Sequence, residues 1–337
     1  MNWLGIDIGG ANIKIADGTG FARSHVFSLW KHPERLEQKL RTMIADAPPS
    51  DHVAATMTGE LADCFESKTD GVAHILTALQ QAVDGRHTRV YLTDGKLVTP
   101  QVALRKPQLA AASNWHVLAR FASRYVATEP GLLIDIGSTT TDFIPIIEGA
   151  PRAQGATDTE RLLSGELLYT GVQRSPLCAV ISEVPYRDAT CPAAHELFAT
   201  MFDAYLILGD LPEESTNMHT ADGRPATKKF ARTRLARMIC ADSEVFNHRD
   251  AVTLAHAASE AQLRQMKTQL MTVFAALPGV PQTIVCSGKG EFLAQRLLKR
   301  LQFEGTVVSL TLELGVIGST CATAHALAVL ARETSQK

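Results

Sequence analysis

Apolar residues along the chain form short runs that are broken by glycine. Residues 2–8 (NWLGIDI) are almost entirely apolar, Gly9 and Gly10 interrupt the run, and residues 12–16 alternate apolar with polar. An apolar strand, a tight glycine turn and a second strand together predict a β-hairpin. The same order returns in residues 131–147, so the pattern predicts one such hairpin in each half of the chain.

The segments between and after the hairpins show helical spacing or short apolar runs. We expect Ser113 to cap the helix that contains Trp115. Strands mixed with helices in this way indicate an α/β fold. The predicted helices cover residues 33–47, 72–83, 113–122, 193–206, 225–240, 254–276, 291–301 and 318–331, and the further predicted strands cover 53–57, 89–93, 283–286 and 307–310. Residues 151–159 are predicted to be an irregular, mobile connection.

Length and charge narrow the class of protein. A chain of 337 residues exceeds the size at which one hydrophobic core is comfortable, so two lobes are expected. The chain is 45% hydrophobic and 20% charged, as expected of a well-packed enzyme. A formal net charge of −2 gives no electrostatic footprint for nucleic acid or an anionic membrane. We therefore expect a small-molecule substrate, with no nucleic-acid or membrane partner.

Cysteine usage and the N-terminus favour a cytoplasmic location. The six cysteines form no C-x-x-C pair, so buried thiols in a reducing cytosol fit better than disulfides or zinc. The first ten residues lack the basic and apolar regions of a signal peptide. The most membrane-like segment, residues 314–330, contains Ser319 and His325 and is predicted to be a buried helix. The sequence leaves the oligomeric state open, with a homodimer among the options.

The two hairpins repeat one chemical pattern in register. Residues 7–12 (DIGGAN) align with residues 135–140 (DIGSTT), and each copy follows an apolar strand. Glycine lets backbone N–H groups approach an anion, and small hydroxyl side chains can donate to phosphate oxygens. An aspartate at the strand end supplies a hard oxygen ligand for Mg²⁺. The candidate metal ligands are Asp7 and Asp135, and the candidate phosphate-binding residues in the hairpins are Gly9, Gly10, Asn12, Gly137, Ser138, Thr139 and Thr140.

These motifs resemble the actin/hexokinase/Hsp70-like superfamily. The segments GIDIGGANIKIAD and LLIDIGSTTTDFIPI resemble its two phosphate hairpins, and TIVCSGKGEFLAQRLL (283–298) resembles its adenosine-side motif, which adds Gly288 and Lys289 as phosphate contacts. The segment LGVIGSTCATAHAL (314–327) resembles the helix that connects the lobes. The resemblance implies two ribonuclease-H-like lobes around a central cleft that binds Mg²⁺ with ATP or another phosphorylated ligand. The expected boundaries are 1–128 for the first lobe and 129–317 for the second, with the helix 318–334 packing back toward the first.

Within that superfamily, IDIGSTTTD is typical of the hydantoinase A/oxoprolinase branch. The segments 112–121, 164–180, 207–214 and 221–242 are similar to a subgroup linked to tetrahydromethanopterin-dependent one-carbon metabolism. This resemblance implies a methanofuran-biosynthesis transferase, which condenses an aminomethylfuran diphosphate with a phenolic acceptor of the tyramine or tyrosine type and releases diphosphate.

Side chains inside and outside the hairpins are candidates for that chemistry. Lys14 and Asp142 occupy matching positions in the two hairpins, so Lys14 would neutralise phosphate and Asp142 would bind metal-bound water or deprotonate the phenol. Asp7 and Asp135 complete the expected catalytic set. The candidate substrate contacts are Glu60, Asn114, Trp115, Arg161, Glu166, Arg174, Asp222, Arg224 and Lys228.

Three other functions explain part of the pattern. An ATP-dependent small-molecule kinase of the same fold would use both hairpins and would need an open apolar slot at residues 287–291. A hydantoinase- or oxoprolinase-like ATP-dependent amidase would usually have a longer chain or a partner subunit. A non-catalytic nucleotide-binding protein would bind nucleotide without turnover.

Overall fold

The computed structural model describes residues 1–336 and consists of two α/β units that each contain one of the two hairpins. The strands are β1 Trp3–Gly9, β2 Asn12–Ala16, β3 Ala22–Val26, β4 His52–Thr58, β5 His87–Tyr91, β6 Leu97–Val98, β7 Gly131–Ile136, β8 Thr141–Ile147, β9 Ala150–Pro151, β10 Leu167–Leu168, β11 Glu183–Tyr186, β12 Ala189–Pro192, β13 Thr283–Ser287 and β14 Thr306–Ser309. The helices are α1 Leu36–Ala45, α2 Lys68–Ala82, α3 Pro100–Leu104, α4 Pro107–Ala110, α5 Asn114–Ala122, α6 Asp158–Ser164, α7 Leu177–Val180, α8 Met201–Leu208, α9 Lys228–Arg237, α10 His248–Ala276, α11 Glu291–Arg300, α12 Leu310–Thr320 and α13 Ala322–Ser335.

The two main sheets share one topology. The first has the order β3-β2-β1-β4-β5-β6, with β1, β4 and β5 parallel and β2 antiparallel to β1. The second has the order β10-β8-β7-β13-β14, with β7, β13 and β14 parallel and β8 antiparallel to β7. The internal repeat of the sequence is therefore a repeat of whole sheets, as the two-hairpin pattern predicts.

Register fixes which side chains are neighbours at the two hairpins. Asp7 lies opposite Lys14 in the first hairpin, and Asp135 lies opposite Asp142 in the second. Paired residues of adjacent strands point to the same face of a sheet. The sheets therefore place the four expected catalytic side chains at corresponding positions in the two lobes.

Two helices lie between the sheets. Helix α5 packs Leu118 against Leu133 and Ile144 of the second sheet, and its Val117 joins a cluster with Trp3 of the first. Helix α13 packs on β1, β2 and β4 as well as on α5. The outer face of the first sheet is covered by α1 and α2, and that of the second by α8, α10 and α11.

Three features of the predicted secondary structure require correction. Residues 193–200 are not helical, because the capping box of Thr200 and Asp203 starts the helix at Met201. Ser113 does not cap α5, since its hydroxyl bonds to the Tyr91 and Ala110 carbonyls and to Thr56. The strands β3 and β6 and the β11–β12 hairpin were not predicted.

The segment 314–330 is not one buried helix. It is divided between α12 and α13, whose axes differ by 102°, and Gly315 has a φ of 73° inside α12. Val316 is 70% exposed and Ile317 is 58% exposed. No single helix among residues 1–336 is long and apolar enough to cross a membrane, and α12 and α13 reach that length and composition only as a bent pair.

Candidate active site

Both hairpin turns line one pocket in the cleft between the lobes. The first contributes Asn12 and Lys14, and the second contributes Asp135, Gly137 and Ser138. The space measures about 410 Å³, including solvent at its open side. The other lining residues are Ser24, Leu118, Gly288, Lys289, Ser319, Thr320, Ala322 and Thr323. The structure thus brings together the two motifs that the sequence repeat singled out.

Lys14 electrostatically links the two lobes inside this pocket. Its Nζ lies 3.5 Å from Asp7 Oδ2. Burial alone would lower the pKa of Lys14, but attraction by Asp7 and by Asp135 of the other lobe outweighs it and raises the pKa. Lys14 is therefore a fixed positive charge at the position where two carboxylates converge.

Asp7 and Asp135 have the features of ligands for a hard cation. Asp7 is buried, its Oδ1 has no hydrogen-bond partner within residues 1–336, and burial raises the pKa of both carboxyls. An unpartnered buried carboxylate oxygen is costly unless a cation or a donor satisfies it. No group of three or more His, Cys, Asp or Glu side chains within the described chain is arranged to hold a metal. Mg²⁺ held by these two residues would take its other ligands from a phosphate group and water.

The first turn is tightly built around its two glycines. A Cβ on Gly9 would lie 2.8 Å from the Asn12 carbonyl oxygen. Gly10 accepts a hydrogen bond from Leu29 N at 2.9 Å and lies against Gly59. The backbone of this turn can therefore approach an anion more closely than a side-chain-bearing turn could.

The second turn is held from behind by a loop that follows β10. Gly137 N donates to the Thr140 carbonyl at 2.9 Å, which closes the turn. Val172 N donates to the Gly137 carbonyl, and the N–H groups of Gln173 and Arg174 donate to the Ser138 carbonyl. Thr139 and Thr140 are half-buried at this turn. The loop thus occupies the carbonyls of Gly137 and Ser138, and both of these residues line the pocket.

The turn between β13 and α11 closes against the end of β7. A Cβ on Gly288, which has a φ of 88°, would lie 2.4 Å from the Ile136 carbonyl oxygen, and one on Gly290 would lie 2.3 Å from Ile136 Cγ2. Lys289 stands between them and donates to Gln173 Oε1 at 3.2 Å. Burial and the nearby Lys14 charge lower the pKa of Lys289. This turn therefore adds a second ammonium group to the pocket.

A contact across the cleft brings in a residue that the sequence reading missed. The Arg174 guanidinium lies 4.9 Å from the centre of the Trp30 ring. Trp30 follows Leu29, whose N–H donates a hydrogen bond to the first turn, whereas the Arg174 N–H donates a hydrogen bond to the second turn. Trp30 comes directly after an irregular segment, and only the fold places it near a phosphate hairpin. Ser24 and Thr323 were missed for the same reason.

Asp142 has a different environment from the one expected. It is buried and forms an ion pair with Arg161 at 2.8 Å, while the Arg161 guanidinium lies 4.5 Å from the centre of the Trp115 ring. Burial raises the pKa of Asp142 to about 6 against the opposing effect of Arg161. Trp115 is buried beneath this pair rather than open for stacking on a substrate, and Asn114 is half-buried beside it. Asp142 is thus held by Arg161, and its expected role with metal-bound water or with the phenol stays a prediction.

Four other expected substrate contacts lie in structural networks or outside the pocket. Glu166 accepts from Gln154 N, Gly155 N and Ser164 Oγ, at 2.6, 3.0 and 2.9 Å, and so fixes the irregular connection that precedes α6. Asp222 pairs with Arg224 and Arg234, at 2.6 and 3.0 Å. Lys228 is exposed at the start of α9. The fold itself therefore supplies partners for Glu166, Asp222 and Arg224, and the assignment of these three residues and of Lys228 to substrate stays a prediction.

Comparison with known proteins agrees with this geometry. The family model for hydantoinase/oxoprolinase matches residues 51–333. The chain belongs to this family.

Two relatives within the family carry the same name. The chain is 33% identical over 275 residues to the (4-{4-[2-(gamma-L-glutamylamino)ethyl]phenoxymethyl}furan-2-yl)methanamine synthase of Methanocaldococcus jannaschii, with 80% of this chain and 81% of that protein covered. It is 36% identical over 124 residues to the synthase of that name from Methanococcus vannielii, with 37% of this chain and 55% of that protein covered. Both the hydantoinase/oxoprolinase branch and the more specific resemblance to this subgroup are confirmed.

Solved structures show that this hydantoinase/oxoprolinase family member has the two-lobed fold of the actin-like ATPases. The PilM–PilN type IV pilus biogenesis complex matches with a TM-score of 0.52 at 12% identity, covering 98% of each chain. Nucleotide-free acetone carboxylase matches with a TM-score of 0.52 at 11% identity, covering 97% of this chain and 70% of that one. At these identities the similarity establishes the fold alone.

Proposed function

We propose that the protein is a synthase of methanofuran-type cofactor biosynthesis that joins a furanylmethyl group to a phenolic oxygen. The observation that carries the proposal is its 33% identity, across four-fifths of both chains, to a synthase whose named product contains a phenoxymethyl-furan ether and a methanamine group. The pocket supports it, because two phosphate-type turns and two lysines suit a diphosphate leaving group.

In the proposed reaction, the bond between the furanylmethyl carbon and the diphosphate oxygen breaks, and its electron pair leaves with diphosphate. The phenol oxygen forms the new carbon–oxygen bond and its proton passes to a base or to water. The furan oxygen stabilises positive charge on the furanylmethyl carbon, so no covalent enzyme intermediate is needed. The enzyme has to stabilise the departing diphosphate and to position the acceptor.

The residues of the cleft match these tasks. Lys14 and Lys289 would neutralise the leaving diphosphate, and the Ser138 hydroxyl with the turn N–H groups would donate hydrogen bonds to it. Asp7 and Asp135 would hold Mg²⁺, which supplies Lewis-acid stabilisation of diphosphate charge when bound. We propose that residues 1–128 and 129–317 form the two lobes that close on the substrate, with 318–334 packed between them, and that the enzyme acts in the cytoplasm on small molecules.

The turn at Gly288 to Gly290 favours a diphosphate substrate over ATP. A nucleotide would need apolar space beside this turn, whereas its two glycines pack directly on Ile136 and its lysine enters the pocket. An ATP-dependent kinase is the second candidate, since it would use the same hairpins.

Calorimetric titration separates the two candidates. We expect Mg²⁺ with diphosphate to bind at least as tightly as Mg²⁺ with a non-hydrolysable ATP analogue. A clear preference for the ATP analogue would contradict the synthase and favour a kinase or an ATP-dependent hydrolase.

A further inference from the structure

Glu60 is a buried carboxylate with one unused oxygen. It follows β4 and is 1% exposed. Its Oε1 accepts a hydrogen bond from Ala112 N at 3.0 Å, but no atom within residues 1–336 donates to Oε2. A buried carboxylate with an unpaired oxygen destabilises the protein unless a hydrogen-bond donor or a cation binds to it.

Glu60 lies directly behind the first hairpin turn, which contributes Asn12 to the pocket. The preceding residue, Gly59, packs against Gly9 and Gly10 of the first phosphate turn, and Gly59 N donates to the Ile8 carbonyl. Asp158 of the second lobe is close enough to act on Glu60 electrostatically, and Lys68 opposes that effect. Glu60 therefore lies near the first hairpin and within electrostatic range of the other lobe.

Two more buried polar atoms, on α5 and on α6, lack partners. Trp115 Nε1 and Arg161 Nε have no hydrogen-bond acceptor among the described residues. The Arg161 guanidinium lies over the Trp115 ring, and Trp115 follows the Ala112 that binds Glu60. Unpartnered polar atoms from both lobes and from α5 thus occur in one region, as expected where a polar ligand completes the hydrogen bonding.

We propose that Glu60 binds the primary ammonium of the furan substrate and selects for it. This rests on the proposed function, whose named product carries a methanamine group on the furan ring. An ammonium donates to a carboxylate through a charge-assisted hydrogen bond, which is stronger than a neutral one. Asp158 adds a second negative charge that favours the same cation. The amine enters while the lobes are apart, and their closure then excludes water from the pair.

This assignment explains how the enzyme would reject a substrate without the amine. A methyl group in the amine's place would leave Glu60 buried and unpaired. A site built around a polar group of its substrate rejects an analogue that lacks the group far more strongly than an apolar pocket rejects a missing methylene. The expected preference of the wild-type enzyme for the aminomethyl substrate is about 100-fold or more in kcat/KM.

The test compares two substrates in matched variants. One substrate is the (aminomethylfuranyl)methyl diphosphate, and the other carries a methyl group in place of the aminomethyl group. The readout is ether formation. In Glu60→Gln we expect kcat/KM to fall for the amine substrate but not for the analogue, so that the preference drops below about fivefold. Glu60→Asp, which keeps the charge, should retain part of the preference. Glu66→Gln, a change at an exposed glutamate downstream of the same strand, should leave it intact.

Titration with Mg²⁺ and diphosphate checks that the phosphate site is intact in each variant. An unchanged preference in Glu60→Gln, or an equal loss with both substrates, would overturn the assignment while leaving the synthase established. If the wild-type enzyme forms no ether from either substrate, the proposed function fails and the assignment fails with it.

Discussion

Asp7 and Asp135 converge on Lys14 from opposite lobes. Each stands at the end of a central strand, and each carboxyl has a raised pKa because the fold removes it from water. Lys14 offsets part of that cost, and Asp7 Oδ1 still lacks a partner. Such an arrangement is costly for the empty protein and favours binding of a cation with its anionic ligand.

Replacing either aspartate by asparagine tests this assignment. Asp7→Asn and Asp135→Asn keep the shape and remove the charge, so we expect kcat/KM at saturating Mg²⁺ to fall roughly 100-fold or more for each. Thermal unfolding should show that both variants fold. Asp63→Asn, at an exposed aspartate, is the matched control. Full activity in either cleft variant would rule out that residue as a metal ligand.

Glu60 gives a prediction for how the free energy of unfolding depends on pH. Burial raises its pKa from 4.5 to about 7, with Asp158 adding to the shift and Lys68 and the Ala112 N–H opposing it. A group whose pKa is raised on folding contributes stability that is present below its unfolded pKa and is lost as the pH rises through its folded pKa. Glu60→Gln removes this dependence. Between pH 5 and pH 8 the variant should therefore gain roughly 2 to 3 kcal/mol in free energy of unfolding relative to wild type.

Urea unfolding of both proteins at the two pH values measures that difference. Groups other than Glu60 titrate alike in the two proteins, so they cancel. A difference that stays constant with pH would show that the Glu60 carboxyl titrates normally in the folded protein.

The sequence predicted these residues unequally well. The paired DIG motifs were sufficient to predict that the two hairpin turns lie together in the fold, because the repeat marks them within the chain itself. Asp142 and Glu166 occur in equally suggestive segments, yet their partners, Arg161 and the 154–155 backbone, are defined only by the fold. Trp30 has no motif, and only the approach of the two lobes shows where it lies.

At the scale of elements, β1 lies directly on the backbone of α13. A Cβ on Gly5 would meet Ala324 O at 2.0 Å and Ala328 N at 2.9 Å. The small residues of α13 allow this approach, and β1 ends at the first phosphate turn. The position of that turn therefore depends on a close strand–helix contact. The sequence indicated a small-residue helix, but the break at Gly315 and the exposed residues of α12 could not be read from apolar content alone.

Gly5→Ala should push this strand and helix apart. The added methyl group meets helix backbone, which cannot move aside like a flexible side chain, so we expect a loss of about 3 kcal/mol in free energy of unfolding. Gly279→Ala is the control, since nothing lies within 4 Å of its added Cβ, and it should change stability by less than about 0.5 kcal/mol. Equal stability of the two variants in urea unfolding would contradict the close packing.

At the scale of the whole molecule, α5 and α13 join the lobes while the hairpins face each other across the cleft. Both helices contribute to hydrophobic clusters shared with the sheets, so they hold the two lobes together. On the opposite side, Arg174 lies over Trp30 of the other lobe. The duplicated topology followed from the sequence repeat, whereas the packing of these two helices and this contact depend on how the halves pack together.

The most direct test of the proposed function is the reaction itself. The purified protein is incubated with Mg²⁺, (aminomethylfuranyl)methyl diphosphate and γ-glutamyl-tyramine in the absence of ATP. The ether product and free diphosphate are then both quantified. We expect both to form, in equal amounts, and we expect that omitting Mg²⁺ stops their formation. No ether in the absence of ATP, or ether formed only as ATP is consumed, would contradict the proposed function.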